Sequence, residues 1–161
     1  MRRKGREFAL QMLFQVDMTA QDPQEILELF WKEWPEMRDV RPFAEALFRG
    51  TLEMRPRLDA ILERVSAHWK LERMAVVDRN VLRLALYEMV FHPETPPVVV
   101  IDEAIEIVKR FGSEESGPFI NGILDRLREH VGALDQAAGA SPREFLERLE
   151  NVVVTEAQEP Q

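Results

Sequence analysis

The sequence predicts an all-α fold, and three observations support this prediction. Apolar residues recur at three- and four-residue spacing along most of the chain, as in amphipathic helices. No segment shows the sustained alternation of apolar and polar residues, bounded by turn residues, that is typical of strands. The chain has 161 residues, of which 45% are hydrophobic and 31% charged, and this suits one compact core. We therefore expect a single all-helical globular protein.

The first helix is predicted from about Arg6 to Met18. Its core face carries five apolar residues at helical spacing: Phe8, Ala9, Met12, Leu13 and Val16. Leu10 and Phe14 lie beside this stripe as i and i+4 neighbours and form a second apolar patch. Such a patch indicates either a helix that packs on two sides or a surface that binds a partner.

Proline residues delimit the next helices. Asp22 as N-cap and Pro23 in the first position predict the start of the second helix, and Pro35 its end. Two further helices are predicted, from Arg41 to Met54 and from Pro56 to Ser66, because proline is disfavoured inside a helix.

The segment from Asp78 to Phe91 is apolar nearly all the way round a helix, which predicts a central, buried one. The turn at residues 92–97 follows. The next helix is predicted to be an ordinary amphipathic surface helix. Its apolar side comprises Ile101, Ala104, Ile105, Val108 and Phe111.

The segment from Gly112 to Gly117 is predicted to be a loop, after which Pro118 opens another helix with Phe119 at the edge of its apolar stripe. That stripe consists of Ile120, Ile123, Leu124 and Leu127. Residues 133–140 are interpreted as a linker, followed by a short helix to about Leu149. Residues 156–161 form a polar tail, and we expect the last few residues to be disordered.

Composition and motifs argue against several classes of protein. The chain has no cysteine, no recognisable signal peptide and no apolar run near the roughly 20 residues that cross a bilayer. It contains no HExxH, GxSxG or GxGxxG motif, and its three histidines lie far apart without a partner at metal-ligand spacing. We therefore expect a cytoplasmic protein that is not an enzyme, binds no metal or cofactor and does not associate with membranes.

Positive charge is concentrated at the amino terminus. The formal net charge is -8, but residues 1–16 carry Arg2, Arg3, Lys4 and Arg6 against Glu7 alone, a balance of +3 that leaves -11 for the rest. Cations at a helix amino terminus oppose the helix dipole. The cluster therefore indicates either an anionic partner, such as the phosphates of a nucleic acid, or simply a basic and flexible chain end.

Three segments resemble the NusB family in order and spacing across about residues 2–128. The first is RRKGRE at residues 2–7 followed by ALQ and LF, the second is DRNVLRLALYE at residues 78–88, and the third is IDEAIE at 101–106 leading through FG to FINGILD at 119–125. The resemblance implies a compact bundle of about seven helices in two subdomains. It assigns residues 1–131 to a NusB-like RNA-binding domain and leaves 132–161 as a linker, a short helix and a polar tail.

The resemblance also implies a function. NusB-like proteins bind the single-stranded boxA element of ribosomal RNA operon transcripts together with NusE, a small-subunit ribosomal protein. They act in the transcription elongation complex with other Nus factors and suppress premature termination.

Carried over to this chain, the family's arginine-rich RNA-binding motif falls on Arg2, Arg3, Lys4 and Arg6. A second RNA contact region falls on Glu115, Phe119, Asn121 and Gly122, with Phe119 expected to stack on an unpaired base. Here the sequence departs from the family pattern, which often has Asp where this chain has Glu115, and the flanking Gly117-Pro118 is a further local variation. The NusE-binding residues fall on Leu10, Phe14 and Asp78.

Two other functions compete with this one. NusB-like domains also precede ribosomal RNA cytosine methyltransferases, but this chain is too short for the catalytic domain and lacks a glycine-rich cofactor loop. A purely protein-binding helical module that never binds RNA is the remaining alternative. The sequence leaves open whether the free protein is a monomer or a homodimer.

Overall fold

The structure is a computed structural model that describes residues 2–66, 69–134 and 140–158, with only the backbone described for 154–158. The described residues contain seven α-helices and a short 3-10 turn at Leu71–Arg73. The α-helices are α1 (Arg2–Met18), α2 (Pro23–Glu33), α3 (Arg41–Val65), α4 (Val76–Phe91), α5 (Pro97–Phe111), α6 (Ser116–Ala133) and α7 (Pro142–Gln158). This confirms the predicted all-α fold of about seven helices.

Helix α1 begins four residues earlier than predicted, at Arg2, so the basic residues form its first turns. Phe8, Ala9, Met12 and Leu13 are buried as expected, whereas Val16 is only partly buried. Helix α2 begins as predicted, since the Asp22 side chain accepts a hydrogen bond from the backbone N–H of Gln24 at 3.2 Å.

The prediction of two helices between Arg41 and Ser66 was wrong, because α3 continues through Pro56. A proline inside a helix removes one backbone hydrogen bond and costs about 3 kcal/mol. Met54 and Leu58, on either side of Pro56, are 5% and 0% exposed, and burying one such side chain contributes roughly 1.5–3 kcal/mol. Continuous burial along one face therefore outweighs the local effect of the proline.

Helix α4 is the central helix, as predicted. Its residues from Asn80 to Val90 are all buried, and α1, α3, α5, α6 and α7 pack around it. Tyr87 stacks on Phe91, with ring centroids 4.6 Å apart, and its hydroxyl lies against α3 at Gly50. A Cβ atom at Gly50 would approach that hydroxyl within 1.9 Å, so this close approach requires glycine.

Helices α5 and α6 differ from the prediction in detail. In α5, Val100 and Ile107 are buried, while Ile105 and Phe111 are only partly buried, so its buried face is rotated relative to the predicted one. Helix α6 begins at Ser116, two residues before Pro118, and its predicted apolar stripe is buried.

The carboxyl-terminal helix was predicted too short, since α7 continues to Gln158. Among its described side chains, four buried apolar ones join the same core as the other helices: Phe145, Leu146, Leu149 and Val153. Helix α7 packs mainly on α3 and also contacts α4 and α6. Most of the predicted linker, at residues 135–139, and the end of the predicted tail, at 159–161, lie outside the described residues.

Candidate nucleic-acid interface

Three of the four predicted basic residues reach the surface at the start of α1. Arg2 lies over the ring of Phe43, with its guanidinium carbon 4.6 Å from the ring centroid. Arg3 is half-exposed and donates hydrogen bonds of 2.8 and 3.0 Å from Nε and Nη2 to the Glu103 carboxylate of α5. Lys4 lies 3.7 Å from a Glu7 carboxylate oxygen. All three cationic side chains are accessible to solvent.

Arg6 has a different environment, because it is only 5% exposed. Its Nε and Nη2 donate hydrogen bonds of 2.7 and 2.6 Å to the two carboxylate oxygens of Glu88, which is 1% exposed. This bidentate pair fixes the first turns of α1 against the central helix α4. A phosphate would have to compete with Glu88 for Arg6, so the predicted contact between Arg6 and RNA stays a prediction.

Carboxylates of α1, α4 and α5 offset part of the unfavourable interaction between these cations and the helix dipole. Arg3 is paired with Glu103, Arg6 with Glu88, and Lys4 with Glu7, which also accepts a 3.0 Å hydrogen bond from Arg110. The hydrogen bonds from Arg3 lower the pKa of Glu103, outweighing the partial burial that raises it. Intramolecular pairs thus explain part of a charge cluster that the sequence alone attributes to a partner or a flexible end.

The second predicted contact region divides between two sides of α6. At 100° per residue, Glu115, Phe119 and Gly122 fall within about 60° of one another, whereas Asn121 lies about 160° from Phe119. Asn121 borders a groove of about 540 Å³ at the junction of α5 and α6, which Lys109 also lines. Phe119 is partly buried on the other edge, and Glu115 is exposed at the N-cap position, where its side chain makes no capping hydrogen bond. A single ligand that touches all four must cross the exposed face of α6.

Gly122 lies in the middle of that exposed face. Nothing lies within 4 Å of the position that a Cβ atom would occupy there, so packing does not require glycine. Glycine inside a helix costs about 1 kcal/mol relative to alanine. A residue without a side chain at this place allows a ligand to approach the helix backbone closely.

Lys109 and Arg110, in the last turn of α5, are further interface candidates, although the sequence pattern alone predicts only an ordinary amphipathic face there. Lys109 lines the same groove as Asn121, and Arg110 is exposed with its guanidinium carbon 5.1 Å from the Phe111 ring centroid. Cations are favoured at helix carboxyl termini whether or not they bind a ligand, so their position in the sequence gave no specific signal.

An apolar groove of about 460 Å³ lies beside the predicted partner-binding residues. It is lined by Leu10, Gln11, Phe14, Gln15, Val77 and Phe111. Leu10 is 2% exposed and Phe14 is 37% exposed, so Phe14 offers the larger contact surface of the two. Asp78, the residue after Val77, is buried, and its Oδ1 atom has no hydrogen-bond partner in the described part of the chain.

A polar network fixes the end of α1 to α4 nearby. Asp17 accepts hydrogen bonds from Arg79 at 2.8 Å, Asn80 at 2.9 Å and Arg83 at 3.2 Å. Burial alone would raise the pKa of Asp17, but the hydrogen bonds from Arg79 and Asn80 outweigh it and lower the pKa to about 2. Arg83 also forms a bidentate pair with Asp59 of α3. The network therefore joins the three helices that carry this end of the molecule.

Comparison with known proteins decides the family, because residues 3–129 match the model of the NusB family. The chain belongs to the NusB family. The transcription antitermination protein NusB of Sorangium cellulosum is 45% identical over 135 residues, which cover 84% of this chain and 96% of that protein. The match to the family model ends at residue 129, before α7 begins at Pro142.

Two solved structures resemble most of the fold. T. maritima NusB has a TM-score of 0.74 and 39% identity, with 91% of this chain and 97% of that chain covered. A chain in the crystal structure of the antitermination factors NusB and NusE in complex with dsRNA has a TM-score of 0.73 and 26% identity, with 80% and 96% covered.

Two further properties concern the residues that the structure describes. None of their helices combines the length and apolar character needed to cross a membrane. They also include no group of three or more histidine or carboxylate side chains arranged to hold a metal ion.

Proposed function

We propose that this NusB-family chain is a transcription antitermination factor that binds boxA-type single-stranded RNA of ribosomal RNA operon transcripts together with NusE. The observation that carries the proposal is the combination of three accessible cations at the start of α1 with an exposed face of α6 that carries Phe119 and Gly122. Cations hold the RNA backbone, whereas an aromatic ring distinguishes unpaired bases from paired ones.

The arrangement suggests a path for the strand. Arg2, Arg3 and Lys4 bind phosphates beside α5, and Asn121 and Lys109 meet the next nucleotides at the junction of α5 and α6. The strand then crosses α6 over Gly122 and reaches Phe119, which stacks on a base. Glu115, exposed at the start of α6, accepts a hydrogen bond from a base edge in this proposal.

NusE occupies the apolar groove in this proposal. Phe14, 37% exposed, gives it an aromatic contact, and the buried Oδ1 atom of Asp78, which has no partner among the described residues, is an acceptor for a donor group. The net charge of -8 favours association with a basic ribosomal protein. The assembly acts in the cytoplasm, in the transcription elongation complex with other Nus factors. We also propose that the free protein forms a homodimer.

The test is a fluorescence-anisotropy titration of boxA-type RNA, with and without NusE, using wild type and an Arg2→Ala, Arg3→Ala, Lys4→Ala variant. We expect NusE to tighten binding and the variant to weaken it. In a plot of log K against log salt concentration, the slope for the variant should be shallower by about 2. Each phosphate contact on a single strand contributes roughly 0.7 to this slope, and the variant removes three cations.

The matched control is Arg38→Ala, Arg57→Ala, Arg148→Ala, which removes the same charge from exposed positions before α3, in α3 and in α7. Equal losses in both triple variants would mean non-specific attraction. Binding of NusE without binding of RNA in any state would favour the purely protein-binding module.

A duplex of the same RNA tests the preference for unpaired bases, and size-exclusion chromatography with light scattering measures homodimer formation.

Glu103→Gln should strengthen RNA binding about two- to fivefold at low salt, because it frees the Arg3 guanidinium for a phosphate. The stability should change by less than about 1 kcal/mol, since pairs involving exposed groups contribute little. The same titration measures the effect, with Asp102→Asn as the control that removes an exposed carboxylate one residue away. An equal gain in the control would attribute the effect to net charge instead of to Arg3.

A further inference from the structure

Trp69 is the most exposed of the three tryptophans in the chain. The chain has three tryptophans, of which Trp31 is 6% exposed, Trp34 is partly buried in the core, and Trp69 is 54% exposed. It lies between α3 and the 3-10 turn. An indole ring left half in water contributes little to folding.

The backbone at Trp69 is held firmly although its side chain is exposed. Its N–H donates to the carbonyl oxygen of Ser66 at 3.3 Å, and the Ser66 hydroxyl donates to the carbonyl oxygen of Trp69 at 2.7 Å. Ser66 itself is 5% exposed. The ring is therefore presented from a fixed position, which lowers the entropic cost of binding a ligand.

Trp69 contacts the aromatic residue assigned to base stacking. Its ring centroid lies 5.8 Å from that of Phe119, and the two ring planes meet at 76°. A flat base that stacks on one ring of such a corner presents its edge to the other ring. The two side chains together can hold a base or separate two successive bases.

Basic residues lie near this corner in the sequence and on the same face of α6. Lys70 and Arg73 follow Trp69 in the sequence and are exposed. Arg126 of α6 is also exposed, lies on the same helix face as Phe119 and Gly122, and donates a 3.0 Å hydrogen bond to the carbonyl oxygen of Val65. An exposed aromatic corner with nearby cations suits a single-stranded nucleic acid better than an apolar peptide.

We propose that Trp69 is a second base-stacking platform, which extends the RNA-binding surface beyond Phe119 toward the connection between α3 and α4. This inference rests on the proposed RNA-binding function and deepens it. The bound strand leaves α6 at Phe119, its next base stacks against the indole of Trp69, and Lys70, Arg73 and Arg126 lie beside its phosphates.

The test compares Trp69→Ala, Trp69→Leu and Trp69→Phe in the anisotropy titration, with an RNA that extends boxA by a few nucleotides at each end. We expect alanine and leucine to weaken binding about tenfold and phenylalanine to stay within about threefold of wild type, because base stacking needs an aromatic ring. Leu29→Ala is the matched control, since Leu29 is 56% exposed on α2. Circular dichroism and thermal unfolding check that each variant folds.

The outcomes separate the inference from the proposed function. If wild type binds RNA and Phe119→Ala weakens binding while all Trp69 variants bind normally, the second platform is wrong and the function stands. If Trp69→Leu binds as well as Trp69→Phe, the ring merely packs beside Phe119. If the Trp69 variants lose NusE binding but keep RNA binding, Trp69 and Phe119 form a contact surface for a protein instead of for RNA. Absence of RNA binding by wild type overturns both proposals.

Discussion

Arg6→Ala is expected to lower the free energy of unfolding by about 3–5 kcal/mol, whereas Arg3→Ala should lower it by less than about 1 kcal/mol. Removing Arg6 leaves the Glu88 carboxylate, 1% exposed, without its charged partner. Arg3 pairs with Glu103 at the surface, where solvent screens the interaction. Urea denaturation of both variants at neutral pH measures the difference.

The double variant Arg6→Met, Glu88→Leu separates the structural role of Arg6 from its predicted contact with RNA. Apolar residues of similar volume often replace a buried ion pair without loss of stability. We expect the double variant to regain most of the stability that Arg6→Ala loses. If it then binds boxA RNA like wild type, Arg6 positions α1 and does not contact RNA. Equal losses of stability for Arg6→Ala and Arg3→Ala would contradict the buried pair.

Asp17→Asn should lower the free energy of unfolding by about 2–3 kcal/mol at pH 7, and the loss should shrink in acid. The folded pKa is about 2, below the usual value of about 3.9 in an unfolded chain, so the carboxylate stabilises the fold above that unfolded value. This stabilisation, on the order of 2 kcal/mol, is lost as the pH falls from about 4 toward 2. Urea denaturation of wild type and variant across this pH range measures how the difference between their free energies of unfolding decreases.

The control for Asp17→Asn is Asp22→Asn. Asp22 caps α2 through a hydrogen bond to the Gln24 backbone, and asparagine caps helices equally well. This change removes one charge at an exposed site and should cost less than about 0.5 kcal/mol. If the difference in free energy of unfolding between wild type and Asp17→Asn stayed constant from pH 7 to pH 2, this would contradict the lowered pKa of Asp17.

The sequence was most informative where a pattern depends on one helix alone. The apolar residues all round α4 predicted its central position, and Asp22 with Pro23 predicted the start of α2 to the residue. Pro56 misled because the rule against proline is local, whereas burial of α3 against α1 and α4 is not. A long-range packing surface is not visible in a short window of sequence.

In the candidate site too, features that depend on one helix could be predicted, whereas contacts between distant segments could not. Arg3 and Arg6 are chemically identical in the sequence, and what separates them is Glu88, 82 residues beyond Arg6. The spread of Phe119 and Asn121 around α6 follows from helical spacing and was open to prediction. The partnership of Trp69 with Phe119 was not, because it joins residues 50 positions apart in the chain.

Helix α7 has a consequence for synthesis on the ribosome. It supplies four buried apolar side chains to the common core and is translated after all the helices that it covers. Until α7 emerges from the ribosome, the side of α3 that it covers remains an exposed apolar surface on the nascent chain. Exposed apolar surface promotes aggregation. Truncating the gene before α7 should therefore yield a polypeptide that depends on chaperones, even though every residue of the family match would be present.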